Sequence, residues 1–202
     1  MSLHRTGILC VVSGPSGSGK TTVCRSAAEA TPLYYTTSCT TRAMRPGEVN
    51  GKDYFFLTDE EFQHRVDAGG FLEHALVHGR RYGTLKSEVI PRLADGQDVV
   101  MDLDPQGAAQ IRDCQDLAIR HSLVDVFILP AGMDELRARL TSRSSETAAE
   151  LQLRLLNAID EMQHWALYAY TIVSRSKEED LAKFLGILTA ERLRSSRLRF
   201  PA

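Results

Sequence analysis

The sequence of 202 residues has few cysteines, no long apolar run and little excess charge. Its four cysteines form no C-x-x-C pair and match no zinc spacing, which favours free thiols over a metal site or a disulfide framework. The net charge of −2 argues against a protein that coats nucleic acid, because such domains usually carry a large positive excess. No apolar run approaches the ~18 residues that a membrane-spanning helix needs, and the N-terminus lacks a secretory signal pattern. We therefore expect a cytoplasmic protein that binds neither membrane nor nucleic acid.

The apolar residues that are present indicate an α/β fold. Short apolar runs at 8–12, 99–101, 124–129 and 170–173 are each preceded or followed by a helical stretch. This alternation is typical of buried strands in a parallel sheet that is flanked by helices. The first helix is predicted from Lys20 to Ala30, because Thr31-Pro32 stops it.

Residues 34–96 break the alternation, since they are rich in Thr, Tyr, Gly and short β-like runs. Thr58, with Glu61 three residues later, predicts a helix that begins with a capping box. We interpret 34–96 as an α+β region inserted into a core that consists of 1–33 and 97–202.

The C-terminal part of the sequence is mostly helical. A polar gap at 142–147 separates two predicted helices, and we interpret 137–155 as a mobile lid within the core. The last helix, predicted over 177–193, ends in a basic segment typical of a solvated helix terminus, where the helix dipole favours cations. The arginines of this segment are Arg192, Arg194, Arg197 and Arg199.

The strongest motif is Gly14-Pro15-Ser16-Gly17-Ser18-Gly19-Lys20-Thr21. It matches G-x-x-x-x-G-K-[ST] and lies between a predicted strand and a predicted helix, which is the context that a P-loop requires. Glycines let backbone N–H groups surround phosphate oxygens. Lys20 can reach the β- and γ-phosphates, and the Thr21 hydroxyl can be a Mg²⁺ ligand. The sequence therefore predicts a site for a nucleoside triphosphate with Mg²⁺.

Two acidic residues follow the second apolar run. Asp102 closes the strand and can hold Mg²⁺ through a water molecule. Asp104 lies two residues further, on the same side of an extended chain. Because Asp104-Pro105 also suits a helix start, a capping role and a substrate role for Asp104 both remain open.

Candidate phosphate-binding residues lie in the predicted insertion. Arg42 and Arg45 can make forked hydrogen bonds to a phosphate monoester. Tyr54 and Tyr82 can donate hydroxyls to the same group. Without other context these residues would be interpreted as surface arginines and packed tyrosines, because the spacing alone is weak evidence for a phosphate site.

The sequence resembles the guanylate kinase family from Ile8 to about Arg197. The resemblance rests on five strings: T-T-R-x-x-R-x-G-E-x-x-G-x-D-Y-x-F at 40–56, F-L-E-H-A at 71–75, Y-G-T at 82–84, D-x-D-x-Q-G at 102–107 and E-R-L-R-x-S-R at 191–197. It implies a P-loop nucleoside monophosphate kinase fold, in which a parallel sheet carries an inserted GMP-binding region and a helical lid. It also implies transfer of the ATP γ-phosphoryl group to GMP, and to dGMP, in purine nucleotide metabolism.

The resemblance further implies roles for individual residues. Lys20 and Thr21 would serve ATP and Mg²⁺, and the other P-loop residues would cradle the ATP phosphates. The GMP phosphate would be held by Arg42, Arg45, Tyr54 and Tyr82. The guanine base would be read by Glu73 and Ser38, assisted by Thr84 and Asp104. The lid arginines that close on the transferring phosphoryl group would be Arg139, Arg143 and Arg154, and in an open state we expect them to be solvated.

Three positions depart from the family pattern. Ser144 replaces a glycine that usually follows the lid arginine. Ser174 replaces an asparagine near the adenine pocket, and Arg175 replaces an acidic residue. A peptide-binding module with the same fold is the alternative function, but such modules typically lack a working P-loop. A sugar-phosphate kinase is a further alternative, which should lack Glu73 and the phosphate-binding set.

Overall fold

The computed structural model describes residues 4–77, 79–141 and 148–199. The strands are, in chain order, β1 (His4–Arg5), β2 (Leu9–Ser13), β3 (Tyr34–Tyr35), β4 (Cys39–Thr40), β5 (Phe55–Phe56), β6 (Phe71–Val77), β7 (Arg80–Leu85), β8 (Val99–Asp102), β9 (Leu123–Leu129), β10 (Tyr170–Val173) and β11 (Leu198–Arg199). The α-helices are α1 (Lys20–Ala30), α2 (Asp59–Asp67), α3 (Lys86–Ala94), α4 (Pro105–Arg112), α5 (Leu117–Ser122), α6 (Met133–Thr141), α7 (Ala148–Met162) and α8 (Lys177–Arg192). Short 3₁₀ helices span Gln163–Leu167 and Ser195–Arg197.

The centre of the protein is a parallel sheet of five strands in the order β10-β9-β2-β8-β3. Every residue of β2 is buried, as expected for a strand that is covered on both faces. Helices cover both faces of this sheet, so the predicted α/β fold is confirmed. Its edge strand, Tyr34–Tyr35, pairs with Val99–Val100 and lies inside the range 34–96 that we assigned to the insertion. Two residues are too few to show strand periodicity, so this pairing could not be predicted from the sequence.

Two apolar clusters form the core because alternate strand residues face opposite sides of the sheet. On one face, Val12 and Val100 pack with residues of α1 and with Phe184 and Leu188 of α8. On the other face, β2, β8 and β9 pack with α3, α4 and α5. The carboxyl ends of β2 and β8 thus lie together at one edge of the sheet, and the candidate site is at that edge.

A second sheet, in the order β5-β4-β7-β6, forms the predicted α+β region together with α2. Helix α2 begins with the predicted capping box: the Glu61 N–H donates to Thr58 Oγ1 at 3.1 Å, and the Thr58 N–H donates to Glu61 Oε2 at 2.8 Å. Phe62 of α2 stacks on Phe71 of β6 with ring centroids 4.4 Å apart. This packing gives the region a small core of its own.

The first and last described strands meet near the amino ends of β2 and β8, away from the candidate site. Strand β1 pairs antiparallel with β11. The buried carboxylate of Asp98 accepts hydrogen bonds from Arg5, from the Ile8 N–H and from Arg192. The Asp98 carboxylate therefore connects β1 and the last turn of α8 to the core.

The basic C-terminal segment corrects one sequence prediction. Arg197 is only 4% exposed. It pairs with Glu191 and donates to the His121 carbonyl at 2.7 Å. The interpretation as a solvated helix terminus is therefore wrong for Arg192 and Arg197, because buried carboxylates pair with both. Among the described residues, no helix combines the length and apolarity needed to cross a membrane, and all four cysteines are free.

Candidate active site

The P-loop connects the carboxyl end of β2 to the first turn of α1. Gly14, Gly17 and Gly19 have φ values of 142°, 82° and 100°, a backbone region that favours glycine. A Cβ atom at Gly14 would lie 2.3 Å from the Ile128 carbonyl oxygen. The glycines are thus required for the loop to turn tightly against β9.

Lys20 lies beneath this loop at the start of α1. Its Nζ donates to the carbonyl oxygens of Gly14 at 2.6 Å and Pro15 at 3.0 Å. Burial lowers the pKa of Lys20, and the carboxylates of Asp102 and Glu161 oppose this effect. The ammonium group is therefore held by carbonyl groups of the loop that would surround a phosphate chain.

Thr21 and Asp102 meet at the edge of the sheet. Thr21 Oγ1 donates to Asp102 Oδ2 at 2.6 Å. The other carboxylate oxygen, Oδ1, accepts a hydrogen bond of 2.5 Å from the Tyr35 hydroxyl. Burial and the neighbouring Asp102 raise the pKa of Tyr35, so its hydroxyl stays a neutral donor. Tyr35 was missed from the sequence, where it carries no motif.

Two of the three predicted lid arginines contact the P-loop. Arg139 donates to the Ser18 carbonyl at 3.1 Å and also pairs with Glu135 of its own helix. Arg154 donates to Ser16 Oγ at 3.1 Å. They are therefore placed against the loop and not, as expected for an open state, away from it in solvent. Arg143 and Ser144 lie outside the described residues.

Another P-loop contact involves a carboxylate that the sequence did not reveal. The Ser16 N–H donates to Glu161 Oε2 of α7 at 3.2 Å. Burial raises the pKa of Glu161, although Lys20 opposes the shift. Helix α7 thus brings an acidic group as well as Arg154 to the same loop.

Next to the P-loop lies a cavity of about 560 Å³ between the parallel sheet and the second sheet. It is lined by residues of both: Thr21, Arg25, Tyr35, Thr36, Thr37, Ser38, Glu48, Lys52, Asp53, Tyr54, Glu73, Ala75, Val77, Tyr82, Gly83, Asp102, Leu103 and Asp104. The structure thus brings five predicted acceptor-site residues together with the P-loop threonine. Those five are Ser38, Tyr54, Glu73, Tyr82 and Asp104.

Glu73 is the most enclosed carboxylate of the cavity, at 5% exposure. Burial raises its pKa to about 7, opposed by a hydrogen bond from Thr84 and reinforced by Asp104. Thr84 Oγ1 also lies 3.4 Å from Ser38 Oγ. A Cβ atom at Gly107 of α4 would lie 3.2 Å from Glu73 Oε2. The Glu73 carboxylate therefore lies between the Thr84 hydroxyl and the glycine backbone of α4.

Arg42 lies at the edge of the cavity in a fixed orientation. Its guanidinium makes two hydrogen bonds to Glu48, of 3.0 and 2.7 Å, and its Cζ lies 5.4 Å from the centre of the Tyr54 ring. Tyr54 in turn packs edge-on against Tyr82, with ring centroids 6.1 Å apart. These three predicted phosphate-binding groups form one cluster.

Arg45 is placed differently from the rest of the predicted set. Its side chain is exposed, and its backbone N–H donates to Glu48 Oε2 at 2.7 Å. Among the described residues, the cavity lining includes neither Arg45 nor Arg42 nor Thr84, but Arg45 is the most exposed of the three. Glu48 organises both arginines, and the G-E dipeptide of the signature string was the available signal for it.

Asp104 has the capping role that the sequence left open. Its Oδ1 accepts from the Gly107 N–H at 2.8 Å, with Pro105 as the first helical residue. It also lines the cavity, so capping and contact with a ligand are compatible.

A smaller cavity of about 210 Å³ lies on the other side of the P-loop. Its lining includes Gly19, Arg139, Lys177 and Asp180. Ser174, one of the departures from the family pattern, is buried and donates to Asp180 Oδ2 at 2.6 Å. Asp180 also accepts from the Arg175 N–H at 3.1 Å. A buried carboxylate thus ties together the two departing positions, and nothing in the sequence indicated that link.

The donor groups at the P-loop fit Mg²⁺. Within the described ranges, no group of three or more His, Cys, Asp or Glu side chains could hold a metal ion. Mg²⁺ does not need one, because it keeps several waters and uses one or two protein oxygens plus phosphates. The Thr21 hydroxyl and the Asp102 carboxylate, 2.6 Å apart, are oxygen donors of that kind.

The sequence and the fold match known proteins over nearly the whole chain. The family model described as "Guanylate kinase" matches residues 6–191. The guanylate kinase of Novosphingobium aromaticivorans is 43% identical over 97% of this chain and 87% of its own length. That of Clostridium tetani is 38% identical over 96% of this chain and 90% of its own length.

Solved structures agree with the sequence matches. The crystal structure of guanylate kinase from Anaplasma phagocytophilum superposes with a TM-score of 0.79 at 32% identity, covering 97% of this chain and 92% of that one. Shikimate kinase from Acinetobacter baumannii superposes with a TM-score of 0.52 at 15% identity, covering 94% of this chain and 97% of that one. The second likeness concerns the fold alone.

Proposed function

This chain belongs to the guanylate kinase family, and from that premise we propose that it transfers the γ-phosphoryl group of ATP to GMP, giving ADP and GDP. The observation that carries the proposal is that Asp102 contacts the P-loop and also lines the neighbouring cavity. Its carboxylate bonds Thr21 of the P-loop and also lines the cavity that contains Glu73. A donor nucleotide on the loop and an acceptor in the cavity would meet there, as in-line phosphoryl transfer requires.

The donor side of the reaction depends on the P-loop. Its backbone N–H groups and the Lys20 ammonium would bind the phosphates of ATP. Arg139 and Arg154 already contact the loop, and together with Arg143 of the lid they would stabilise the transferring group. Positive charge placed there stabilises the transition state most strongly once water is excluded.

Mg²⁺ bound with ATP would neutralise charge on the β- and γ-phosphates. Thr21 would hold it directly and Asp102 through water. The protein's own contribution is to keep these two oxygens in a fixed arrangement before the nucleotide arrives.

The acceptor side depends on complementarity to guanine and to a phosphate monoester. Guanine presents N1–H and N2–H₂ donors on one edge, which the ionised Glu73 can accept together, with Ser38, Thr84 and Asp104 nearby. Adenine presents an acceptor at N1, which would face the carboxylate with repulsion. Sites built on such polar complementarity can discriminate by ~10⁴ or more.

The GMP phosphate would bind at the cluster of Arg42, Tyr54 and Tyr82. Burial raises the pKa of Tyr54, so its hydroxyl remains a donor at neutral pH. Arg45 starts outside the cavity, so we propose that it reaches the phosphate only when the second sheet closes. No strong general base is needed, since the acceptor oxygen belongs to a phosphate.

The proposed separation of the ATP site from the GMP site supports the domain arrangement that the sequence predicts. The core, 1–33 and 97–202, would bind ATP and carry the lid, 137–155. The inserted region, 34–96, would bind GMP, although its first two residues, Tyr34 and Tyr35, pair with β8 of the parallel sheet. We propose that the reaction serves purine nucleotide metabolism in the cytoplasm.

The test is an ADP-release assay with ATP against GMP, dGMP, AMP, CMP and UMP. We expect activity with GMP and dGMP and at least ~10⁴-fold lower kcat/KM with AMP. Equal activity with AMP would contradict the role of Glu73. A peptide-binding module without catalysis would release no ADP with any acceptor; the P-loop with its buried Lys20 disfavours that alternative.

A further inference from the structure

The carboxylate of Asp102, the residue proposed to hold Mg²⁺ through water, accepts a hydrogen bond from a residue outside the P-loop motif. Asp102 Oδ2 accepts from Thr21 at 2.6 Å, and Oδ1 accepts from the Tyr35 hydroxyl at 2.5 Å. One oxygen is thus bonded to the loop and the other to strand β3. The carboxylate cannot rotate without breaking both hydrogen bonds.

The sheet fixes where the Tyr35 hydroxyl lies. Tyr35 pairs with Val100, which lies two residues before Asp102 on the same face of β8. Two residues of a strand span roughly 6–7 Å, a distance that a tyrosine side chain can bridge. The ring packs on the apolar cluster beneath α1, so the hydroxyl is aimed by the core and not by a flexible loop.

Asp102 lies among charges of both signs. The same cavity contains four other carboxylates, Glu48, Asp53, Glu73 and Asp104, and the cations Arg25 and Lys52. Hydrogen bonds to an ionised carboxylate favour its charged form and fix its direction. Removing one donor would leave Asp102 freer to turn towards other partners, such as Arg25 on the cavity wall.

We propose that Tyr35 is a positioning residue for the reaction: its hydroxyl holds the Asp102 carboxylate so that Thr21 and Asp102 present a preformed pair of oxygens to the nucleotide-bound divalent cation. The inference rests on the proposed role of Asp102. In this proposal Tyr35 is not a metal ligand and acts through Asp102. Strand β3 leads directly into Thr36, Thr37 and Ser38, which line the cavity proposed for GMP. Tyr35 therefore lies between the proposed metal site and the proposed GMP site.

The chain supplies a matched control in the preceding residue. The Tyr34 hydroxyl also donates to a carboxylate at 2.5 Å, namely Glu88 Oε2 of α3. Tyr34 lies on the same two-residue strand but packs on the opposite face of the sheet. The substitutions Tyr34→Phe and Tyr35→Phe therefore remove the same group from the same strand, and only the second touches Asp102.

The experiment measures binding of Mn²⁺ with a non-hydrolysable ATP analogue, by the loss of the free Mn²⁺ signal in electron paramagnetic resonance. It also measures kcat and KM for GMP as a function of Mg²⁺ concentration, and thermal unfolding. For Tyr35→Phe we expect Mn²⁺ affinity to fall by roughly ten-fold, as for partners that orient metal ligands. Saturating Mg²⁺ should restore much of kcat, and KM for GMP should change less than two-fold. Tyr34→Phe should keep the wild-type Mn²⁺ affinity.

Two outcomes would overturn the inference. One is wild-type Mn²⁺ affinity in Tyr35→Phe. The other is an equal loss in both phenylalanine variants, which would indicate a general effect on the sheet. Asp102→Asn separates the inference from its premise: if that variant also binds Mn²⁺ normally, the metal role of Asp102 itself is wrong. If Asp102→Asn loses Mn²⁺ and Tyr35→Phe does not, only the role of Tyr35 is refuted.

Discussion

Acidification from pH 8 to pH 6 should weaken the use of GMP through Glu73. The pKa of this carboxyl is raised to about 7 by burial, and only its ionised form can accept both donors of the guanine edge. With that pKa, the ionised fraction falls about ten-fold between pH 8 and pH 6. The phosphate of GMP, with a second pKa of ~6, loses about half of its dianion over the same range. Together these effects predict a fall of about 20-fold in kcat/KM for GMP.

The assay is steady-state kinetics at limiting GMP and saturating ATP, since kcat/KM reports the ionisations of the free enzyme and free substrate. Glu73→Gln is the matched control, because it keeps the shape and removes the titration. Its kcat/KM should be low throughout and should change only about two-fold between pH 8 and pH 6. Parallel pH profiles for the wild type and Glu73→Gln would refute the reasoning.

The raised pKa of Glu73 also predicts how the stability of the folded protein changes with pH. The folded pKa of Glu73 lies above its usual value of 4.5, so the folded state binds the proton more tightly than the unfolded state. Ionisation in the folded state therefore costs stability, and this cost appears as the pH rises from about 4.5 to 7. The difference between 4.5 and about 7 corresponds to about 3 kcal/mol for this 5% exposed group. Glu73→Gln should thus raise the Tm at pH 8 and leave it unchanged near pH 4, as measured by calorimetry.

Three further changes test other parts of the site. Lys20→Ala should nearly abolish turnover while calorimetry still detects GMP binding, because Lys20 faces the loop carbonyls and not the acceptor cavity; loss of GMP binding would contradict the separation of the two sites. Arg143→Met should lower kcat by roughly 10²-fold, as for other single electrostatic donors, with little change in a GMP titration; weak GMP binding with a normal kcat would place Arg143 in the acceptor site. Gly107→Ala should raise KM for GMP by roughly ten-fold or less, because the new Cβ would lie 3.2 Å from Glu73 Oε2. The carboxylate would then shift by less than the ~1 Å misplacement that can lower the rate of an enzyme 10²-fold. An unchanged KM would show that Glu73 tolerates displacement.

Features whose determinants are local in sequence were predictable. The run that ends in the P-loop predicted β2 and α1, because strand, glycine turn and helix follow each other within about two dozen residues. The Thr58 capping box was predictable for the same reason. The identity of the acceptor-site residues depended on the family resemblance, since arginines and tyrosines in a string do not by themselves show what they bind.

Features that depend on distant partners were not predictable from one sequence. Tyr35 and Asp102 are 67 positions apart, and Ser16 and Glu161 are 145 apart. No periodicity or spacing rule connects such pairs, because the fold alone brings them together. The same limit explains the error at the C-terminus: whether an arginine is solvated or buried depends on a carboxylate such as Asp98, far away in the chain.

The pairing of β1 with β11 has a consequence for synthesis of the chain on the ribosome. His4 lies opposite Arg199, so β1 has no partner strand until residues 198–199 have been synthesised. Asp98 likewise gains Arg192 only late, after Arg5 and the Ile8 N–H. A stop codon just before Ser195 would leave every proposed nucleotide-binding residue in place. The truncated chain would keep Tyr170 and Arg194 as partners of the buried Glu191, but it would lack β11 and Arg197. Arg197 is the buried partner of this ion pair and also donates to the His121 carbonyl, so its loss is destabilising. A chain that ends just before Ser195 should therefore be less stable than the full chain, although it contains all the proposed catalytic residues.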